Sequence, residues 1–308
     1  MNRSRIQWLA LAAIVASGWA FDARARSAAV QDAPNAAASE AGDVVTIRHA
    51  NGTRAREGRI VRGRREGLWR GWYENGALSY EGAFHDYERV GHWVYWKENG
   101  KKGMEGDWKD GFRSGTWVFY GDHGEKSAEG VFENGVRNGP WISFNPDGSK
   151  FRSGQYVGGI KQGTWTQFFP SGAKLLEGPW VAGKQEGLFT RWHENGAKEY
   201  EGRFAEDKET GAWTRWHPNG ELHAQGAYVD GKMHGEWTGW YDDGQRQYRG
   251  SFVAGAEQGL WTMWHHNGSK KSEGSFLSGK RHGEWKDWLE DGTPDEVRSG
   301  VYVQGKKP

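Results

Sequence analysis

Aromatic and glycine positions recur along this chain with a fixed period. Steps of 24 from Gly67 land on Gly91, Gly115, Gly139, Gly163, Gly187, Gly211, Gly235, Gly259 and Gly283, with no insertion or deletion. Each unit reads G-x-W-x-x-(aromatic)-x-x-(N/D)-G, then six residues to a second Gly, then an aromatic two further on. A degenerate unit from Asp43 precedes them, and a final one follows Gly283 with extra residues around Thr293-Pro294. A period this short with internal turn signals marks a repeat architecture and not a compact domain. Asn75-Gly76, Asn99-Gly100, Asn195-Gly196, Asn219-Gly220 and Asn267-Gly268 occupy one turn, and Asp110-Gly111, Asn134-Gly135 and Asp230-Gly231 a second. Both sets predict two-residue hairpin turns, because Asn-Gly and Asp-Gly supply the positive φ such turns need. The pattern predicts an all-β fold: an elongated, solenoid-like meander of about eleven tandem 24-residue hairpin repeats.

The aromatics form three columns. One holds Trp69, Trp93, Trp117, Trp141, Trp165, Trp213, Trp237, Trp261 and Trp285, with Phe189 standing in once. The second holds Trp72, Trp96, Trp192, Trp216, Trp240, Trp264 and Trp288, completed by Tyr120, Phe144 and Phe168. The third runs Phe84, Trp108, Phe132, Tyr156, Trp180, Phe204, Tyr228, Phe252 and Phe276. Stacked hairpins bring equivalent residues into lines, so each column becomes a ladder. A Gly column from Gly82 to Gly274 sits inside the second strand, where a neighbouring Trp can cover the bare backbone. The first two columns are three residues apart. Either the sheet is aromatic on both faces, or a bulge turns one column back.

The ends and the totals divide the chain further. Arg3, Arg5, the apolar stretch from Ile6 to Phe21 and Ala23-Arg24-Ala25 read as a signal peptide over residues 1–25. Ala20 offers a second cleavage point, and a retained membrane anchor is the alternative to cleavage. The expected location is therefore periplasmic or extracellular. Residues 26–42 are an Ala/Ser-rich linker expected to be disordered, and residues 43–308 are the array. Lys plus Arg number 41 against 40 Asp plus Glu, a balance that does not suit a general nucleic-acid binder. There is no Cys, which removes disulfides, thiolate metal sites and a Cys nucleophile.

The repeat resembles the MORN repeat (membrane occupation and recognition nexus). Glu105-Gly106-Asp107-Trp108 through Gly111 and Gly115 carry its E-G-x-(F/W)-x-x-G-x-x-x-G core. The half from Gly91 to Gly100 is similar to a bacterial variant often labelled YwqK-like antitoxin components. The resemblance implies a non-catalytic array used for membrane association, scaffolding or protein contacts.

Candidate chemistry is sparse. No off-phase Ser, His and Asp grouping suggests a nucleophile with its base, so no enzyme, catalytic residue, cofactor or metal is expected. His193, His217 and His265 share one repeat position, but neighbouring units should stand ~9.6 Å apart, too far to share one ion. They read as solvent-facing. The Lys column (Lys102 to Lys270) and the Glu column (Glu81 to Glu273) read as a solvated face. The stretch from Arg48 to Arg70 is the one concentrated charge, either a polar cap or a site for an anionic membrane or cell-wall glycan. Tyr87 and Asp207 break the turn consensus. The leading expectation is a protein-interaction scaffold using Arg62, Arg64, Arg65, Trp72, Trp96, Trp192, Trp216, Trp240 and Trp264. A glycan or anionic-lipid binder and an antitoxin-like inhibitor of a secreted toxin are the alternatives.

Overall fold

The computed structural model describes residues 42–307. The signal peptide and nearly all of the linker read from the sequence lie outside them. Every described strand belongs to one open antiparallel sheet of 23 strands, in which each pairs with its neighbours in sequence, save that Lys184–Gln185 and Gly187–Trp192 form one interrupted leading strand and both pair with Lys174–Val181. No helix among the described residues is long and apolar enough to cross a membrane.

One repeat is one hairpin. Its leading strand, for example Phe112–Tyr120, carries the first aromatic column. Its return strand, here Lys126–Glu133, carries the inner glycine and the third column. The two turn types differ. Asp110-Gly111 have φ values of 51° and 75°, Asn134-Gly135 49° and 80°, and Asp230-Gly231 50° and 76°, as a two-residue turn with both residues left-handed requires. At the other edge only the glycine is left-handed: Gly76 has φ 85° while Asn75 keeps a negative φ. There Gly76 N–H donates to Tyr73 O (2.9 Å) and Tyr73 N–H to Ala77 O (2.8 Å), closing a longer loop than the sequence suggested. Asn75 is needed instead for its side chain, whose Oδ1 accepts from Ala77 N–H (2.9 Å).

The two glycine columns serve different ends. Gly91 sits at φ 65° where Glu81 pairs with Val94 but Ala83 with Val90, so extra residues on the leading strand oppose Gly82. This bulge re-aims Trp93 flat onto the preceding strand. Gly82 has ordinary backbone angles, but a Cβ there would fall inside the Trp93 ring. The same overlap joins Gly106 to Trp117, Gly154 to Trp165 and Gly250 to Trp261. The indole N–H of Trp93 then donates to Ala83 O (3.1 Å), and Trp117, Trp165 and Trp237 bond equivalently to Asp107, Gln155 and Ala227. A single-layer sheet thereby hides its tryptophans: Trp69 and Trp117 are 0 % exposed.

The third column packs edge-on between successive members of the first. Phe84 meets Trp69 at 6.1 Å and Trp93 at 5.0 Å, and the zigzag continues through Trp108, Trp117, Phe132, Trp141, Tyr156 and Trp165. It resumes at Phe189 and runs on to Trp285. We call this side the ladder face. The second column belongs with the Lys and Glu columns of the opposite face: Lys102 lies over Tyr120 (6.0 Å) and pairs with Glu105 (2.8 Å), to which the Tyr120 hydroxyl also donates. Burial, and then the Glu105 bond, push Tyr120 up to about 12. Both readings of the three-residue spacing therefore hold in part. The sheet is aromatic on both faces, and a one-residue irregularity between Gly71 and Trp72 sets the second column at the turn edge.

Candidate functional site

The ladder face is not bare. A cation at the start of a leading strand lies over each of six pairs of first- and third-column rings. Arg65 is 4.9 Å from the Trp69 ring and 5.3 Å from Phe84. Arg89 covers Trp93 and Trp108 (5.2 and 4.7 Å), and Arg113 covers Trp117 and Phe132 (4.6 and 5.5 Å). Arg137 covers Trp141 and Tyr156 (4.2 and 5.3 Å), and Lys161 covers Trp165 and Trp180 (4.7 and 3.9 Å). After four repeats with Gln185, Glu209, Met233 and Glu257 at this position, Arg281 closes the array over Trp285 (4.0 Å) and Tyr302 (5.3 Å). The planar guanidinium stacks on ring faces while its stem covers apolar surface.

Four of these charges have no acidic partner, whereas Arg281 at the end of the row pairs with Asp287 (2.9 Å). Among the described residues, Arg89, Arg113, Arg137 and Lys161 make no ion pair, and Arg113 reaches only the Met104 sulfur (3.6 Å). Arg152 adds a further cation on the same face, with a buried Nε that finds no partner. Burial lowers the pKa of Arg113, and flanking Arg89 and Arg137 lower it further. Burial, then Arg152, likewise lowers Lys161. The opposite face is neutralised instead: Lys126–Glu129 (2.7 Å), Lys174–Glu177 (2.7 Å), Lys198–Glu201 (2.6 Å) and Lys270–Glu273 (2.6 Å) pair within their own strands. At the same turn edge Phe112, Val136 and Ile160, each one residue before a row cation and so on the opposite side of the strand, stand exposed in three successive repeats.

The residues singled out from the sequence do not gather into one site. Arg64 pairs with Asp86, Arg70 with Glu81 (2.5 Å), and Arg54 lies over Trp72 (4.8 Å). Arg62 occupies a left-handed turn position, φ 49°. The Arg48–Arg70 stretch is thus divided between faces and edges, and of its members Arg65 alone begins the cation row. Trp192 and Trp216 lie under Lys174 (5.7 Å) and Lys198 (5.5 Å), on the same paired face as Trp72 and Trp96. Trp264 lines a cleft considered below, and Trp240 lends its carbonyl to the neighbouring turn. The cation row was visible as a 24-residue spacing from Arg65. The density of charge along the chain does not reveal it, because paired charges lie between its members.

The histidines are structural. His193, His217 and His265 are part-buried, and their Nε2 atoms bond the carbonyls of Trp216 (3.2 Å), Trp240 (3.0 Å) and Trp288 (2.9 Å) one repeat on. They are not solvent-facing, as the sequence suggested, because one repeat's turn leans on the next and shields the ring. Tyr73 and Tyr241 fill the same place through their hydroxyls. No three metal-ligating side chains come together among the described residues.

The family described as MORN repeat variant matches residues 65–86, 209–230, 233–254 and 257–277. No curated protein matches the chain. Among solved structures, the crystal structure of TcdB2-TccC3-Cdc42 is 9 % identical, with 85 % of this chain and 18 % of that chain aligned at a TM-score of 0.18. That of TcdB2-TccC3-TEV is 9 % identical, with 82 % and 15 % aligned at 0.19. The chain spans less than a fifth of those chains, and the likeness says nothing of what it binds.

Proposed function

The array carries MORN repeats of the variant type, and from that premise we propose that the chain is an exported, non-catalytic scaffold whose ladder face holds an acidic segment of another protein. The unpaired cation row from Arg89 to Lys161 carries this reading. Four positive groups stand one repeat apart over buried rings, with no carboxylate of their own. Two strand spacings make that interval about 9.6 Å, and one turn of a polyproline II segment, three residues, advances about 9.3 Å and returns the side chain to the same face. A partner segment in that conformation with a carboxylate at every third residue would meet each cation in turn. Bidentate carboxylate contacts suit guanidinium groups. Export is supported by Arg3, Arg5 and the apolar stretch ahead of Ala25, and N-terminal sequencing of protein recovered outside the cytoplasm tests it.

The test is fluorescence anisotropy with two labelled peptides of equal composition, one with Glu at every third residue and one with its Glu clustered. The spaced peptide should bind more tightly, with affinity falling as salt rises. Equal binding of the two would contradict the proposal. Anionic vesicles binding more tightly than either peptide would move the reading to a membrane surface.

A further inference from the structure

The repeat around Trp261 keeps the stacked and edge-on rings of the repeat around Trp93, with Met263 in place of Tyr95 and Phe276 in place of Trp108. Tyr80 stacks on Trp93 at 5.6 Å and 24°, and Phe84 meets it edge-on at 5.0 Å and 86°. Tyr248 stacks on Trp261 at 5.9 Å and 24°, and Phe252 meets it edge-on at 5.0 Å and 89°. Over Trp93 lies Arg89, and the equivalent residue over Trp261 is Glu257. The other three repeats without a cation at this position are covered from within. Lys161 lies over Trp180, the strand partner of Gln185. Near Glu209, Arg215 reaches the Tyr228 hydroxyl at 3.0 Å. Met233 packs into the cluster of Trp213 and Trp237. Beside Glu257 nothing replaces the missing side chain, and a cleft of about 350 Å³ opens between Tyr241, Tyr248, Phe252, Glu257, Trp261 and Met263.

We propose that this cleft binds an arginine side chain presented by a protein partner. The molecule contains its own template for the complex, since Arg89 shows where a guanidinium rests on this aromatic frame. Glu257 makes no ion pair among the described residues, so a carboxylate waits where a guanidinium would need a counter-charge. Arginine fits better than lysine because the ring faces and the carboxylate together match a flat, forked cation. Lys271 lies on the rim, makes no ring contact of its own, and opposes the incoming charge. The cleft stands apart from the Arg89–Lys161 row, so either site can fail without the other.

The experiment titrates a Gly-Gly-Arg-Gly-Gly peptide, blocked at both ends, into the full chain. The readout is the indole N–H resonance of Trp261, assigned by its loss in Trp261→Phe. A peptide with citrulline for arginine supplies the uncharged isostere. The arginine peptide should shift this resonance saturably and the citrulline peptide should not. Glu257→Gln should weaken binding roughly tenfold, and Lys271→Ala should tighten it. Glu257→Arg recreates the Arg89 arrangement and should abolish binding. Should that variant fail to fold, the citrulline comparison and Glu257→Gln still decide. Equal binding of the two peptides, or undiminished binding by Glu257→Gln, would overturn the proposal.

Discussion

The smallest working unit of this fold is a tryptophan lying on a glycine. Gly82 must be bare because Trp93 occupies the space of its Cβ, and Trp93 must be planar and hold a donor to reach Ala83 O. Gly82→Ala should therefore destabilise by about 1–3 kcal/mol through overpacking, read as a lower urea midpoint. Trp165→Ala should cost roughly 3–5 kcal/mol, since that ring is buried against Gly154. Trp165→Phe should cost far less, because Phe189 already fills the same place over Gly178. The pairing of Trp with Gly was legible in the sequence, as both columns keep the period. The indole-to-carbonyl bond was not, because it depends on the bulge at Gly91, and a bulge leaves only an ambiguous glycine in the sequence.

At the scale of the hairpin, the turn edges join one repeat to the next. Asn75 Nδ2 donates to Glu98 O (3.1 Å) and Asn99 Nδ2 to Asp122 O (3.0 Å). At the opposite edge Gly135 N–H donates to Arg113 O (2.9 Å) and Gly159 N–H to Arg137 O (2.8 Å). The positions of both turns could be read from Asn-Gly and Asp-Gly. The geometry of the Asn-Gly loop could not, since the same dipeptide serves either with both residues left-handed or with a side-chain bond and one left-handed glycine. One turn edge also titrates. The His217 and His223 rings lie 4.4 Å apart, and burial, then His217 and Arg215, hold His223 below its ordinary value. The folded state then binds fewer protons than the unfolded chain, so stability falls as pH drops below the unfolded value near 6.5. Thermal melts of the parent should show a loss between about pH 7 and 5 that is reduced in His223→Gln, and an unchanged pH profile in that variant would contradict the assignment.

Across the array, pairing never skips a repeat, so stability should be a sum of local terms. Deleting Gly283 to Pro308 removes Asp287, which is 3 % exposed and held by Arg281 at 2.9 Å, together with the last buried Trp. The shortened chain should keep its β circular dichroism signal and most of its unfolding midpoint, whereas collapse of the whole array would contradict local additivity. The period alone revealed the fold at this scale, because every column repeats in phase. The charge arrangement of the ladder face stayed hidden, since only stepping by the period separates Arg89, Arg113 and Arg137 from nearby paired charges.

That arrangement is the centre of the functional account, and a comparison of two triple variants tests it. Arg89, Arg113 and Arg137 are changed together to Met, which Met233 shows this position accommodates. Lys126, Lys174 and Lys198 on the opposite face are changed together to Met as the control. Each removes three positive charges, so net charge is matched. The account predicts that the Arg variant loses binding of the spaced-Glu peptide by at least about tenfold, with a shallower salt dependence, while the Lys variant binds like the parent. Equal loss in both variants, or full binding by the Arg variant, would contradict it.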